Sequence, residues 1–271
     1  MDFTLRKYRQ LLLALKQQGY HFVTFVQYCS FRKSVCKEGE PWIIIRHDVD
    51  RDPKRSFEMA EVEHELGIQA SYYFRVPKQD DLPKHVNRVA LLGHEVGYHY
   101  EDMDISRGNV EDAYLYFNQN LRFLRQLYSV RTIVMHGAPM SKWDGRELWK
   151  HYNYRDLGIM GEPYLDLDFS KVFYITDTGR RWDGYNVAVW DKIPAHQKEW
   201  NEKGWTYHKT NDIIRAVQQG SFPQQLMMTV HPQRWSDRWW IWIRELVMQN
   251  IKNVIKRLLI FYTRLTSRRK D

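Results

Sequence analysis

The sequence predicts an α/β fold, a (β/α) barrel in which parallel strands alternate with helices. Apolar runs of strand length alternate with segments of helical periodicity, which favours β-α-β units. Several of the apolar runs end directly at a polar residue, and 271 residues suffice for one large domain with a buried core. Because the carboxyl ends of parallel barrel strands meet at one face, the polar residues should gather there into one site.

The first predicted elements run from the amino terminus to residue 76. Apolar spacing over 5–15 predicts an amphipathic helix that ends near Gly19, and residues 20–28 read as a strand. The β-branched run at 42–45 predicts a strand buried on both faces, with polar residues at its carboxyl end. A helix that ends at Gly67 follows, and then a strand over 70–76.

The same alternation continues through the rest of the domain. Further strands are predicted at 93–100, 132–135, 172–176 and 226–230, and further helices at 110–128 and 211–219. The barrel domain therefore spans 1–235, and 236–271 forms a separate long helix.

This C-terminal helix is predicted to be amphipathic and basic. Its apolar stripe, at spacings of three and four, consists of Trp240, Ile243, Val247, Ile251, Val254, Leu258, Phe261 and Leu265. The basic residues lie off that stripe, as in a helix that binds an anionic membrane surface or a partner protein. The alternative is a terminal helix that packs on its own barrel.

The positive charge is concentrated in this tail. Seven basic residues and one acidic residue after position 251 give +6 of the formal net charge of +8. The rest of the chain is nearly neutral, which argues against a broad nucleic-acid-binding face.

The cysteines and the hydropathy pattern indicate a cytoplasmic protein. Cys29 and Cys36 form neither a redox pair nor a zinc knuckle, and so few cysteines fit a reducing compartment. The apolar run at 11–15 is too short for a signal-peptide core, and no stretch reaches the roughly 18 apolar residues of a membrane span. We expect a protein of the cytoplasm, peripheral on the inner face of the membrane.

Two pairs of polar residues have the spacing of a metal site. Asp48 and Asp50 are two residues apart, so on an extended strand both carboxylates point to one side and can share a cation or divide the roles of base and ligand. His99 and Glu101 have the same spacing, and imidazole and carboxylate groups can bind one divalent ion. Ion pairs with neighbouring arginines such as Arg46 are the structural alternative.

Two further histidines directly follow apolar strands. His136 comes after 132–135, and His231 comes after 226–230. Each could be a metal ligand or an acid/base group at the mouth of the barrel.

Together these clusters resemble the polysaccharide deacetylases that share the chitooligosaccharide deacetylase homology domain (carbohydrate esterase family four). The resemblance covers roughly 20–235 and implies an irregular (β/α) barrel. It implies that Asp48 is the catalytic base and Asp50 a metal ligand, that His99 is the first metal-binding histidine, and that His231 is the general acid. Pro139 falls where the family has its Arg-x-Pro motif.

Two positions depart from the family pattern. The second metal histidine of the family lies four residues beyond the first, where this chain has Met103, a poor ligand for a hard, oxygen-rich site. Glu101 and His136 are therefore the candidates for the third ligand, with His94 behind them, and zinc is the expected metal. His136 also stands where the family often has arginine, so the group that orients the base is open.

A later segment could line a sugar site. Asp177, Arg180, Arg181 and Trp182 combine charged groups with a flat aromatic face, which suits a glycan, although a surface turn with a salt bridge is the alternative.

The resemblance and the residues imply a metal-dependent hydrolase of carbon–nitrogen (non-peptide) bonds. It would remove N-acetyl groups from a sugar in a polysaccharide, an oligosaccharide or a lipid-linked precursor. Amide hydrolysis needs an activated water, a polarised carbonyl and a proton for the departing amine, which the named residues and a cation can supply. The alternatives are a metal amidohydrolase that acts on a small amide and an inactive glycan-binding protein.

Overall fold

The structure of the chain is a computed structural model. It describes residues 1–36, 39–76, 81–138, 141–184, 188 and 190–267. For Lys33 and residues 255–267 the description covers the backbone only. The strands are β1 (His21–Phe22), β2 (Trp42–Val49), β3 (Ser71–Phe74), β4 (Glu95–Tyr100), β5 (Ile133–Met135), β6 (Phe173–Thr176) and β7 (Gln225–Val230). The α-helices are α1 (Leu5–Gln17), α2 (Phe25–Val35), α3 (Lys54–Glu65), α4 (Leu82–Leu91), α5 (Asp102–Ile105), α6 (Val110–Leu127), α7 (Leu148–His151), α8 (Pro163–Asp166), α9 (Pro194–Glu202), α10 (Thr210–Gln218) and α11 (Trp239–Ser267).

All the strand pairs of the sheet are parallel, which confirms the predicted α/β class. The strand order is β5-β4-β3-β2-β7-β6, and β1 pairs with the beginning of β2. Within the described residues β5 and β6 do not pair with each other, so the barrel is incomplete. The strand β2 lies in the middle of the sheet and is buried along its whole length, as its β-branched sequence predicted.

Most predicted elements are confirmed to within a few residues, but the strand at 20–28 is wrong. Only His21 and Phe22 pair with β2, and α2 begins at Phe25. Thr24 accepts a hydrogen bond from the Gln27 backbone, and the Gln27 side chain accepts one from the Thr24 backbone. This capping box starts a helix inside a segment of high β propensity.

Residues of β2 alternate between two environments. Arg46 and Asp48 lie on one side of the strand, and His47 lies on the other, where it stacks on Tyr72. On that second side the buried Glu63 carboxylate of α3 lies 2.7 Å from His47 Nε2. It also accepts hydrogen bonds from Tyr8 at 2.5 Å and from Tyr72 at 2.6 Å. His47 thus contributes to the packing of helices against the sheet and not to the polar residues on the other side of β2.

The C-terminal helix α11 packs on the rest of the chain through one face only. Trp242 Nε1 donates to the Asp2 carbonyl at 2.6 Å, and Asn253 Nδ2 donates to the Gly179 carbonyl at 2.9 Å. The described part of the predicted apolar stripe lies on the exposed side, where Trp240, Ile243, Val247, Ile251 and Val254 are each 45% to 57% exposed. No helix among the described residues is both long enough and apolar enough to cross a membrane.

The Glu63 cluster should be a main source of stability. Burial raises the pKa of Glu63, but His47, His94 and the hydrogen bond from Tyr72 together lower it by more, so the carboxylate stays charged. We expect Glu63→Ala to lower the free energy of unfolding by about 3–5 kcal/mol, because three buried polar groups lose their acceptor. The control Glu65→Ala removes an exposed carboxylate of the same helix, with an expected cost below about 1 kcal/mol. Urea unfolding of both variants measures the difference, and equal losses would contradict a structural role for Glu63.

Candidate active site

The carboxyl ends of six parallel strands bring the polar residues to one edge of the sheet. Across the sheet these residues are His136 after β5, His99 and Glu101 at β4, Arg75 after β3, Asp50 after β2, His231 after β7 and Asp177 after β6. The order of the strands therefore places Asp50 between two groups of residues, as expected where parallel strands end together.

Asp50, His99 and His136 form a compact cluster. One potential ligand atom from each lies within 4.8 Å of the other two. Asp50 Oδ1 is 3.2 Å from His99 Nε2 and 3.5 Å from His136 Nε2. Gln233 Nε2 donates to the other Asp50 oxygen at 3.1 Å and holds the carboxylate in place.

The groups behind the two imidazoles favour the tautomers in which a lone pair faces Asp50. His99 Nδ1 lies 3.0 Å from the Val134 carbonyl oxygen, which can only accept, so this nitrogen carries the proton. His136 Nδ1 lies 3.1 Å from a Glu101 carboxylate oxygen but makes no hydrogen bond. The negative charge of Glu101 nevertheless favours a proton on His136 Nδ1, as in His99. With these neutral tautomers, two lone pairs and a carboxylate oxygen converge, an arrangement that can hold a cation.

The other candidates for a metal ligand lie behind or away from this cluster. Glu101 is held by Arg75 through contacts of 2.5 and 2.6 Å and lies behind His136. His94 is bonded at both ring nitrogens, to Ala70 and Ala60, at the opposite end of β4, so the interpretation of His94 as a ligand is wrong. Met103 is buried in the hydrophobic core.

Asp48 is oriented by an arginine of its own strand. Arg46 Nε and Nη2 donate to the two Asp48 oxygens at 2.9 and 2.7 Å, and both side chains are buried. Asp48 Oδ2 is 3.9 Å from His99 Nε2, so the carboxylate borders the cluster. The orienting group that the sequence left open at position 136 is thus supplied two residues before Asp48.

His231 lies on the other side of Asp50 and is held by Asp177. His231 Nδ1 is 2.6 Å from Asp177 Oδ1, and its Nε2 is 3.8 Å from Asp50 Oδ2. Arg234 Nη1 also donates to Asp177 Oδ1, at 2.5 Å. Because Arg234 and His231 share this oxygen, Arg234 Nη1 lies only 2.6 Å from His231 Nδ1. Burial raises the pKa of Asp177, but Arg234 and His231 lower it to about 2, so Asp177 is a carboxylate that accepts the Nδ1 proton.

A second carboxylate, Asp191, faces the same histidine. Asp191 Oδ2 is 3.6 Å from His231 Nε2 and accepts a hydrogen bond from Thr178 at 2.6 Å. Its other oxygen accepts one from Tyr164 at 3.1 Å. His231 therefore lies between two carboxylates, Asp177 at Nδ1 and Asp191 at Nε2.

The residues predicted to line a sugar site are dispersed. Asp177 is buried behind His231, and Trp182 is buried beside Phe3 and Trp235. Arg180 donates to the Trp242 carbonyl of α11, and Arg181 pairs with Asp183. These four residues are not among those that line the cavity at the strand ends. Pro139 lies outside the described residues.

A cavity of about 630 Å³ opens over the cluster, within the usual size range of ligand pockets. Its floor includes Asp48, Asp50, His99, His136 and His231, and one wall comes from the C-terminal helix α11. The cavity thus gives a ligand access to the metal-binding cluster, the Arg46-bound carboxylate and the Asp177-bound imidazole at once. This arrangement can place a cation, a base and an acid around one reacting group.

Sequence reasoning missed Arg46, Asp191 and Gln233 as site residues. The signal for Arg46 was present, since it alternates with Asp48 on a strand and must share its side. Gln233 follows His231 by two residues and lies in a short 3-10 helix, Pro232–Arg234. No sequence pattern predicted this helix. Asp191 lies in an irregular segment, where no periodicity relates it to the strands.

No protein-family model and no curated protein matches this sequence. Among solved structures, a Streptococcus mutans carbohydrate esterase family four (CE4) esterase is similar with a TM-score of 0.45 and 16% identity, covering 80% of this chain and 83% of that one. A CE4 family pseudoenzyme from Bacillus anthracis has a TM-score of 0.43 and 10% identity, covering 80% and 62%. A peptidoglycan N-acetylglucosamine deacetylase has a TM-score of 0.41 and 13% identity, covering 76% and 80%. At these TM-scores and identities the likenesses assign no activity to this chain.

Proposed function

We propose that this protein is a metal-dependent hydrolase that removes acetyl groups from an N-acetylated sugar. The observation that carries the proposal is the convergence on Asp50 of two imidazole Nε2 atoms, with Asp48 on one side and His231 on the other. This set supplies each component that hydrolysis of an amide requires near neutral pH.

Asp50, His99 and His136 would hold the metal, and Glu101 would position His136 from behind. One carboxylate and two imidazoles with an open side form a donor set typical of catalytic zinc, which is the metal we propose. When bound, the cation supplies Lewis acidity to the acetyl carbonyl and to water.

Asp48 would act as the general base. Its carboxylate borders the cluster, and the bidentate contact with Arg46 fixes which way its oxygens point. Asp48 would accept the proton of the attacking water, while Arg46 keeps the carboxylate from rotating away.

His231 would act as the general acid. The Asp177 carboxylate keeps a proton on Nδ1, so the second proton of the imidazolium lies on Nε2, which faces the cavity. From there it would be donated to the nitrogen that leaves as an amine. Asp177 would hold the imidazole in this orientation, and the Asp191 carboxylate lies 3.6 Å from Nε2.

The choice of an acetylated sugar rests on the motif resemblance to the polysaccharide deacetylases. The site itself would serve equally for a small amide, and an inactive glycan-binding protein would need no metal. Metal content separates binding from catalysis, and acetate release from N-acetylhexosamine substrates separates the sugar from other amides.

We also propose that the protein acts at an anionic membrane surface, on the cytoplasmic side. The support is the exposed apolar stripe of α11, combined with the charge of +6 in the sequence after position 251. Both cysteines are free thiols, which suits the reducing cytoplasm. Burial raises the pKa of Cys29 to about 12 and that of Cys36 to about 11, so neither is a reactive thiolate.

Metal binding separates the ligands from the residue behind them. We expect Asp50→Ala, His99→Ala and His136→Ala each to abolish stoichiometric zinc binding, and Glu101→Gln to weaken it by about 10–100-fold because only the support of His136 is lost. The control is His151→Ala, which alters an exposed histidine of α7. Zinc titration by calorimetry measures the affinities. Full zinc binding by His136→Ala, with loss in Glu101→Gln, would reverse the assignment.

Turnover separates the acid and the base from the ligands. We expect Asp48→Asn and His231→Ala each to lower the rate of acetate release from N-acetylhexosamine substrates by about 10²–10⁴-fold, because each removes one proton transfer. Zinc content should stay at the wild-type level in both variants. A wild-type rate in Asp48→Asn would exclude Asp48 as the base, and loss of zinc in His231→Ala would make His231 a ligand.

Vesicle binding tests the exposed stripe of α11. We expect the full chain to cosediment with vesicles rich in phosphatidylserine and not with neutral vesicles, because apolar and cationic groups act together. The triple change Ile243→Ser, Val247→Ser and Ile251→Ser should abolish binding. Leu91→Ser with Leu115→Ser removes exposed apolar groups from α4 and α6 and should bind as the wild type does. Unchanged cosedimentation of the triple variant would exclude the stripe as a membrane site.

A further inference from the structure

The C-terminal helix supplies charged residues to the catalytic cavity as well as an apolar outer face. Arg244, Glu245, Gln249 and Lys252 of α11 line the cavity over the metal-binding cluster. Two contacts fix this wall: Arg180 donates to the Trp242 carbonyl at 2.7 Å, and its guanidinium stacks 4.4 Å from the Trp242 ring. The wall is therefore a defined part of the site.

Three of the six basic residues that line the cavity are held by acidic partners. These pairs are Arg55 with Asp52, Arg75 with Glu101, and Arg234 with Asp177. The other three are Arg51, Arg244 and Lys252. Within the described part of the chain, their side chains make no hydrogen bond or ion pair. Their charges are therefore available to a ligand.

Two of these three cations are close enough to repel each other. Burial lowers the pKa of Lys252, and Arg51 lowers it further. Glu245 and Asp50 act in the opposite direction without offsetting the two effects. Lys252 of α11 and Arg51 after β2 thus lie near each other in the lining of the cavity, and a bound anion would relieve their mutual repulsion.

We propose that Arg51, Arg244 and Lys252 bind a diphosphate group attached to the acetylated sugar. This inference rests on the proposed function and narrows its substrate class from a neutral glycan to a glycosyl diphosphate ester. Arg51 directly follows Asp50, so the anion would lie beside the metal-binding cluster and would hold the sugar within reach of it. Two phosphate groups match cations supplied by two separate elements, and guanidinium groups bind phosphate oxygens in pairs.

Two sources share this chemistry. A nucleoside diphosphate sugar is soluble, whereas a polyprenyl diphosphate sugar is embedded in a membrane. The anion site binds the diphosphate in both, so binding of a simple probe tests the site, and comparison of the two substrates identifies the source.

The direct test is the binding of inorganic pyrophosphate to the full chain after chelation of metal. Chelation is needed because pyrophosphate would also bind a metal ion in the cluster. We expect Arg244→Gln with Lys252→Gln to weaken pyrophosphate binding by about 10–100-fold, as does the separate variant Arg51→Gln, because charge-assisted contacts are lost. Arg122→Gln with Lys198→Gln removes the same charge from exposed positions elsewhere and should leave binding unchanged.

Calorimetry of these proteins decides the proposal independently of catalysis. Equal pyrophosphate binding by the wild type and by both site variants would overturn it, and so would binding that appears only with metal present. Loss of binding in the site variants without any deacetylation activity would support the anion site and count against the proposed function alone.

Turnover of the loaded protein then identifies the source of the diphosphate. We expect kcat/KM to be higher for the nucleoside diphosphate or the polyprenyl diphosphate N-acetylhexosamine than for a neutral N-acetylhexosamine oligomer. The double variant Arg244→Gln with Lys252→Gln should lose this preference, because its KM for the charged substrate rises. Deacetylation with equal kcat/KM for charged and neutral substrates would contradict the diphosphate site and leave the proposed function standing.

Discussion

The site depends on one electrostatic constraint, the convergence of two imidazole lone pairs on the carboxylate of Asp50. The Val134 carbonyl holds the proton of His99 on Nδ1, and Glu101 favours the same tautomer in His136. The nitrogen atoms that face Asp50 therefore carry no proton unless the imidazoles become charged. A divalent cation between the three groups satisfies them all, and the groups behind the histidines are arranged for that state.

The order of strands around Asp50 separates the proposed acid, His231, from the proposed base, Asp48. Because β2 lies in the centre of the sheet, β4 and β5 deliver the two histidines on one side, and β7 and β6 deliver His231 and Asp177 on the other. The alternation of side chains along β2 then places Asp48 at the cluster and turns His47 toward Glu63. The same strand thus contributes to the candidate active site on one face and to the packing of the helices on the other.

Much of the fold and the location of the candidate site could be predicted from the sequence, because parallel strands, helical periodicity and polar strand ends are local signals. The strand ends at Asp50, His136 and His231 were identified in this way. The orienting role of Arg46 was also encoded locally, in its spacing from Asp48. The contacts of Asp191 could not be predicted from the sequence, because they depend on how an irregular segment lies across the sheet. The part of the cavity wall formed by α11 depends on tertiary packing, which the periodicity of a sequence does not report.

The central claim is that Asp50, His99 and His136 together bind one metal ion. X-ray absorption spectroscopy at the zinc edge of protein loaded with one equivalent of zinc tests it most directly, since it reports ligand types and distances without requiring a substrate. We expect two imidazole nitrogens at about 2.0–2.1 Å, with oxygen ligands and no sulfur in the remaining positions. A spectrum with one imidazole or none, or with sulfur at about 2.3 Å from Cys29, Cys36 or Met103, would contradict it.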